Sequence, residues 1–141
     1  MIISGPYARA AGREPAIGIK TIRHFAYYSF DKRIHFNQQD HRKYVDRAAS
    51  LITGVDRTEV YLTKGHDIVA MVMYTDCVDI HYGRVAIPVT VTVMEEVRHN
   101  REVLRSVNQM IKMAVKALDC QYYYTVKHTA PGMQVHRLRE V

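Results

Sequence analysis

His81 follows Asp79 by two residues, a spacing that sets both side chains on one face of an alternating strand. An imidazole beside a carboxylate suits a general base, and no other pair in the chain is a better acid–base candidate. A second chemistry is suggested by Arg101, Arg105, Lys112 and Lys116, whose spacing lines them along one stripe of a helix. Such a stripe suits phosphate groups, and equally a plain solvated face. The histidines are scattered, with no i,i+4 pair enclosing an acid, so no zinc helix is expected and no metal is assigned. Cys77 and Cys120 are too few for a disulfide framework and lack zinc spacing; their apolar surroundings predict small buried thiols.

The elements that must hold these residues are clearest between Arg84 and Lys127. Arg84–Met94 alternates as a half-buried strand. Residues 95–100 break the period. From Arg101 to Leu118 the apolar residues Val103, Leu104, Val107, Met110, Ile111, Ala114, Val115 and Leu118 fall on one helical face. A strand from Cys120 to Lys127 follows. A strand–helix–strand run of this kind makes a crossover unit, and the N-terminus of its helix, with unpaired N–H groups, is an anion site.

Upstream, Glu59–Lys64 and Ile68–Thr75 flank Gly65-His66-Asp67 as an antiparallel hairpin, and Asp76–Gly83 extends or turns the second strand. Asn37-Gln-Gln-Asp40 reads as a helix N-cap, with the helix running from His41 to Thr53 and Gly54 just past its end. Thr21–Tyr28 is expected as a strand, and a short final strand spans Gln134–Val141. Residues 1–16 carry Gly5, Pro6, Gly12 and Pro15 without a sustained period. They are expected as an extended arm, with 17–141 a single α/β domain of mixed, mostly antiparallel sheet and packed helices.

The chain is 141 residues long, with 48% hydrophobic and 24% charged residues, ordinary for a soluble globular domain. No apolar run is long enough to span a membrane, and the N-terminus has no signal-peptide pattern, so a cytoplasmic place is expected. Twenty Lys+Arg against 14 Asp+Glu give a net charge of +6, which suits an anionic partner. With no Lys/Arg run in the sequence, nucleic acid is not the expected one.

The order of elements resembles the GNAT N-acetyltransferase superfamily over roughly residues 40–127. Ile68–Met73 is similar to its third strand, Ile87–Met94 to its fourth, and the helix from Arg101 to the one that receives the pyrophosphate of coenzyme A. The family's motif there is Q/R-x-x-G-x-G/A. Arg98-His99-Asn100-Arg101-Glu102-Val103 keeps the opening arginine and replaces both small positions, by Arg101 and Val103.

The resemblance implies acetyl-CoA as cofactor, held by Arg98, His99, Asn100, Arg101 and Val103 at the helix N-terminus and by Val93 and Met94 along the strand. It implies acetyl transfer to an amine, small-molecule or protein, with His81 or Asp79 as base and Tyr124 as the acid toward the departing thiolate. Small phage-encoded members with an altered cofactor loop are also similar. That likeness implies a non-catalytic alternative: a virion or host-interaction protein, in host cytoplasm or virion, whose residues 1–16 bind a neighbouring chain in a homo-oligomer or phage assembly.

Overall fold

The computed structural model describes residues 1–34 and 41–141. Six strands form one sheet in chain order: β1 (Ile2–Arg9), β2 (Arg57–Lys64), β3 (Asp67–Asp79), β4 (Gly83–Val93), β5 (Tyr122–Ala130) and β6 (Met133–Glu140). Neighbours are antiparallel except for β4 and β5, which run parallel. Helix α3 (Arg101–Ala117) makes the crossover between those two strands. Helices α1 (Ile19–Ser29) and α2 (His41–Thr53) lie between β1 and β2 in the chain.

The sheet is buried on both faces at its centre. On one side Val103, Val107, Met110, Ile111, Ala114 and Val115 of α3 pack against Val60, Leu62, Ala70, Val72 and Tyr74. On the other, Ile22 and Phe25 of α1 and Ile52 of α2 pack against Tyr61, Met71 and Met73. This is why β2 is closed to solvent over six consecutive residues rather than alternating. The helical spacing in α3 is as expected, except that Leu104 is 43% exposed at the margin of the buried stripe.

The expected strand at 21–28 is instead most of α1. Its aromatic and β-branched residues favour a strand locally. Yet Ile22, Phe25, Ala26 and Ser29 recur at three- and four-residue intervals, and all four are buried on one face. Glu14 starts the helix by accepting a hydrogen bond from the N–H of Ile19.

Residues 1–16 are extended at their start and dock on their own chain. Ile2–Arg9 pairs with β2 of the same chain, its register shifting between Ser4 and Tyr7. Residues 10–16 are fastened by a buried charge network. Arg57 and Glu59 are both fully enclosed, with Arg57 Nε donating to Glu59 Oε2 at 2.7 Å. Arg57 Nη2 donates to the carbonyl of Arg13 at 2.7 Å, and Glu59 Oε1 accepts from the N–H of Ala16 and the hydroxyl of Tyr61. A buried pair persists when its remaining donors and acceptors are satisfied, and here the segment 10–16 supplies those partners.

Cys120 is buried as expected, whereas Cys77 is exposed because β3 has run beyond the helices by that point. The expected N-cap at Asn37–Asp40 lies outside the described residues. Arg101, Arg105, Lys112 and Lys116 are all exposed on the outer face of α3.

Candidate functional site

β4 and β5 meet only briefly. Val85 pairs with Tyr122 and Ala86 with Tyr123, after which the strands part. Pro88, two residues past the last pair, has no N–H to offer a neighbouring strand. Just beyond the vertex, the carbonyl of Tyr124 receives its hydrogen bond from a side chain, the fully buried Tyr74 hydroxyl at 2.8 Å. Beyond this point, the β5-facing edge of β4 from Ile87 to Val93 has no strand partner among the described residues.

The parting strands open a groove of about 940 Å³. Ile87–Val93 form one wall and Val126–Ala130 the other, with Gln134 and His136 beside them and Ser29, Asp31, Tyr44 and Arg98 closing one end. One wall is rich in hydroxyls. Thr90 and Thr92 share a hydrogen bond of 2.6 Å. Burial pushes the Tyr44 phenol above its ordinary value, while hydrogen bonds with Ser29 and Thr92 pull the other way. His136 Nε2 lies 3.1 Å from Gln134 Oε1; with that oxygen as acceptor, Nε2 carries the proton and Nδ1 is the basic nitrogen.

Arg98 is a tie rather than a free cation. Its Nε donates to the carbonyl of Val93 at 3.1 Å, its Nη2 to that of Ser29 at 3.0 Å, and Asp31 lies 3.8 Å from Nη1. The end of β4 is thereby joined to the end of α1. Asp31 is the hub of this corner. Hydrogen bonding from Arg33 holds its carboxyl at about 2, well below the usual carboxylate range. The N–H of Met94 is taken by the carbonyl of Val69.

The N-terminus of α3 is capped from within. Asn100 Oδ1 accepts from the N–H groups of Glu102 at 2.9 Å and Val103 at 3.1 Å, the donors that would otherwise be available to an anion. Val103 points into the core, 1% exposed, while His99 and Arg101 are exposed. The diphosphate cradle implied by the family motif is therefore filled by the chain's own groups. This helix end, as arranged, does not fit a diphosphate.

The three residues expected to be catalytic lie outside the groove. β3 ends at Asp79 and His81 sits in the following turn, so strand alternation does not align them. Asp79 Oδ1 instead accepts from the N–H groups of His81 at 2.7 Å and Tyr82 at 3.0 Å, closing the turn. The first of these bonds is the main cause of a carboxyl below its ordinary value. The Tyr124 hydroxyl reaches Asp79 Oδ2 at 3.5 Å, and burial together with that carboxylate raises the phenol. Asp79 and Tyr124 are thus together, and His81 is joined to Asp79 by its backbone N–H and by charge. Tyr44, His128 and His136, which line the groove, carry no sequence signal of doing so. Their elements reach it only through tertiary packing. Among the described residues, no group of three or more His, Cys, Asp or Glu side chains is placed to hold a metal.

This architecture has counterparts among solved structures. The aminoglycoside antibiotic 6'-N-acetyltransferase AAC(6')-IG of Acinetobacter haemolyticus superposes with a TM-score of 0.53 at 11% identity, over 87% of this chain and 77% of that one. A Desulfovibrio desulfuricans protein described as an acetyltransferase of the GNAT family superposes with a TM-score of 0.54 at 9% identity, over 89% and 74%. The fold is GNAT-like. The sequence itself matches no family model and no curated protein. No helix among the described residues is long and apolar enough to cross a membrane.

Proposed function

We propose that the protein is an N-acyltransferase-like protein that receives the pantetheine arm of acetyl-CoA, or of a related acyl-CoA, in the groove between β4 and β5. The carrying observation is the parting of two parallel strands after only two residue pairs, which leaves the edge of β4 unpaired beside a groove of about 940 Å³. An extended, amide-bearing arm can add to such an edge much as a strand would. The bound group would supply an acyl thioester. Ile87–Val93 would hold its arm, and the Thr90, Thr92 and Tyr44 hydroxyls would orient its polar atoms. In this reading His136, which lines the groove, would take a proton from an entering amine, and the Tyr44 phenol, hydrogen-bonded with Ser29 and Thr92, would hold that wall in shape. The diphosphate would find no seat at the N-terminus of α3, since Asn100 holds those N–H groups.

The self-capped helix favours a second reading, in which the scaffold binds a partner or assembles without turnover. Calorimetry with acetyl-CoA, and with pantetheine lacking the nucleotide, tests the first. Acetyl-CoA should bind, and the truncated pantetheine should retain most of the affinity because the arm makes the contacts. Absence of heat and of any thermal shift at about millimolar ligand, a −4 kcal/mol affinity, would overturn it. Asn100→Ala separates the two further. It should cost about 0.5–2 kcal/mol of stability and, by freeing two N–H groups, tighten acetyl-CoA relative to pantetheine.

A further inference from the structure

The outer surface of α1 and α2 combines exposed cations with exposed aromatic rings. These helices carry five exposed cations, Lys20, Arg23, Arg42, Lys43 and Arg47, against one acid, Asp46. Arg23 takes that acid at 2.7 Å. No acid among the described residues pairs with the other four. Arg23 and Arg42 of this set line one cavity with a set of rings. Tyr28 contacts His24 at 4.7 Å and Tyr27 at 5.1 Å between centroids. The His41 ring is sandwiched between Tyr27 and Phe30, at 4.4 and 4.5 Å, both 21° from parallel. His41 Nε2 is bonded to the Tyr27 carbonyl at 2.7 Å, which fixes the stack. Tyr27 and Tyr28 nonetheless remain 49% and 57% exposed, beside a cavity of about 540 Å³.

Interior packing does not account for this arrangement, since the apolar faces of both helices are already buried against the sheet. A braced cluster of exposed rings beside Arg42, on helices whose cations other than Arg23 pair with no acid among the described residues, has the chemistry that holds unstacked bases and their phosphates. An acidic peptide would use the charges and leave the rings idle.

We propose that the outer face of α1 and α2 binds single-stranded nucleic acid. Bases stack on Tyr28 and Tyr27, and Arg42, Lys43 and Lys20 contact phosphates. The site is separate from the β4–β5 groove and does not depend on acyl transfer. The sequence expectation against nucleic acid rested on the lack of a Lys/Arg run. Two packed helices assemble the same charge from separate residues.

Fluorescence anisotropy of the whole protein with labelled oligo(dT) and oligo(U) of about 20 nucleotides, with duplex and heparin as competitors, tests this. Binding should fall with salt with a log–log slope of about −2 to −3, as for three or four contacted phosphates. Tyr28→Ala should weaken binding roughly tenfold, and Arg42→Gln should shallow the slope by about 0.7. Both side chains are exposed, so both variants should melt like the wild type. Lack of binding would overturn the proposal. So would competition by duplex or heparin equal to that by single strands, or an unchanged affinity in Tyr28→Ala, since either would reduce the surface to general charge attraction.

Discussion

The hydroxyl of Tyr74, on β3, donates to the backbone carbonyl of Tyr124, on β5, across the intervening strand at 2.8 Å. The bond sits where β4 and β5 cease to pair, so a side chain completes hydrogen bonding that the sheet abandons. Tyr74→Phe keeps the ring and leaves the carbonyl unsatisfied. We expect a loss of about 1–3 kcal/mol in chemical denaturation, together with weaker binding of any ligand in the groove. An unchanged denaturation midpoint would mean that water replaces the phenol and that the vertex does not rely on it.

Packing of α3 makes a paired prediction. Met110 is wholly buried, whereas Leu104 is 43% exposed. Met110→Ala should cost about 2–5 kcal/mol, and Leu104→Ala within about 0.5 kcal/mol beyond helix propensity. Equal losses would place Leu104 in an interface that the isolated chain does not display.

Arg57→Met should release residues 10–16 while leaving Glu59 charged and without its buried partner. Breaking a buried pair from one side costs about 3–5 kcal/mol. Limited trypsin digestion should then cut after Arg13, whose carbonyl Arg57 holds. The double change Arg57→Met/Glu59→Leu should recover part of the stability without restoring protection at Arg13.

Asp31 predicts a pH effect. Its folded-state value, about 2, lies below the ordinary 3.8, with the hydrogen bond from Arg33 the largest cause. Its contribution is therefore complete above the unfolded value and is lost as pH falls through 3.8 toward 2. Thermal melts of Asp31→Asn should show a shallower decline over that window than the wild type. The two proteins should keep a constant difference from pH 5 to 8.

The sequence by itself determined β3, β4 and α3, whose burial carries a period in their own residues, and β5, marked by its aromatic and β-branched residues. It also determined α2 from His41 and the hairpin around Gly65. From those elements the GNAT-like architecture was legible. It did not determine α1, where aromatic and β-branched residues favour a strand locally and burial against Met71 and Met73 decides for helix. Nor did it determine that residues 2–9 pair with β2, since their strand partners, Arg57 to Thr63, lie far along the chain, as do Arg57 and Glu59, which fasten residues 10–16. The site divides in the same way. Arg98–Val103 marks the start of a helix in sequence, but whether that start receives an anion depends on where the Asn100 side chain turns and on what Arg98 finds at Ser29 and Val93. His81 and Asp79 have the spacing of a strand pair, and only the end of β3 at Asp79 separates them. Tyr44 and His136 enter the groove from elements distant in the chain. Periodicity records the burial of one element, whereas a site is set by distances between elements, and those exist only once the sheet has closed around its two cores.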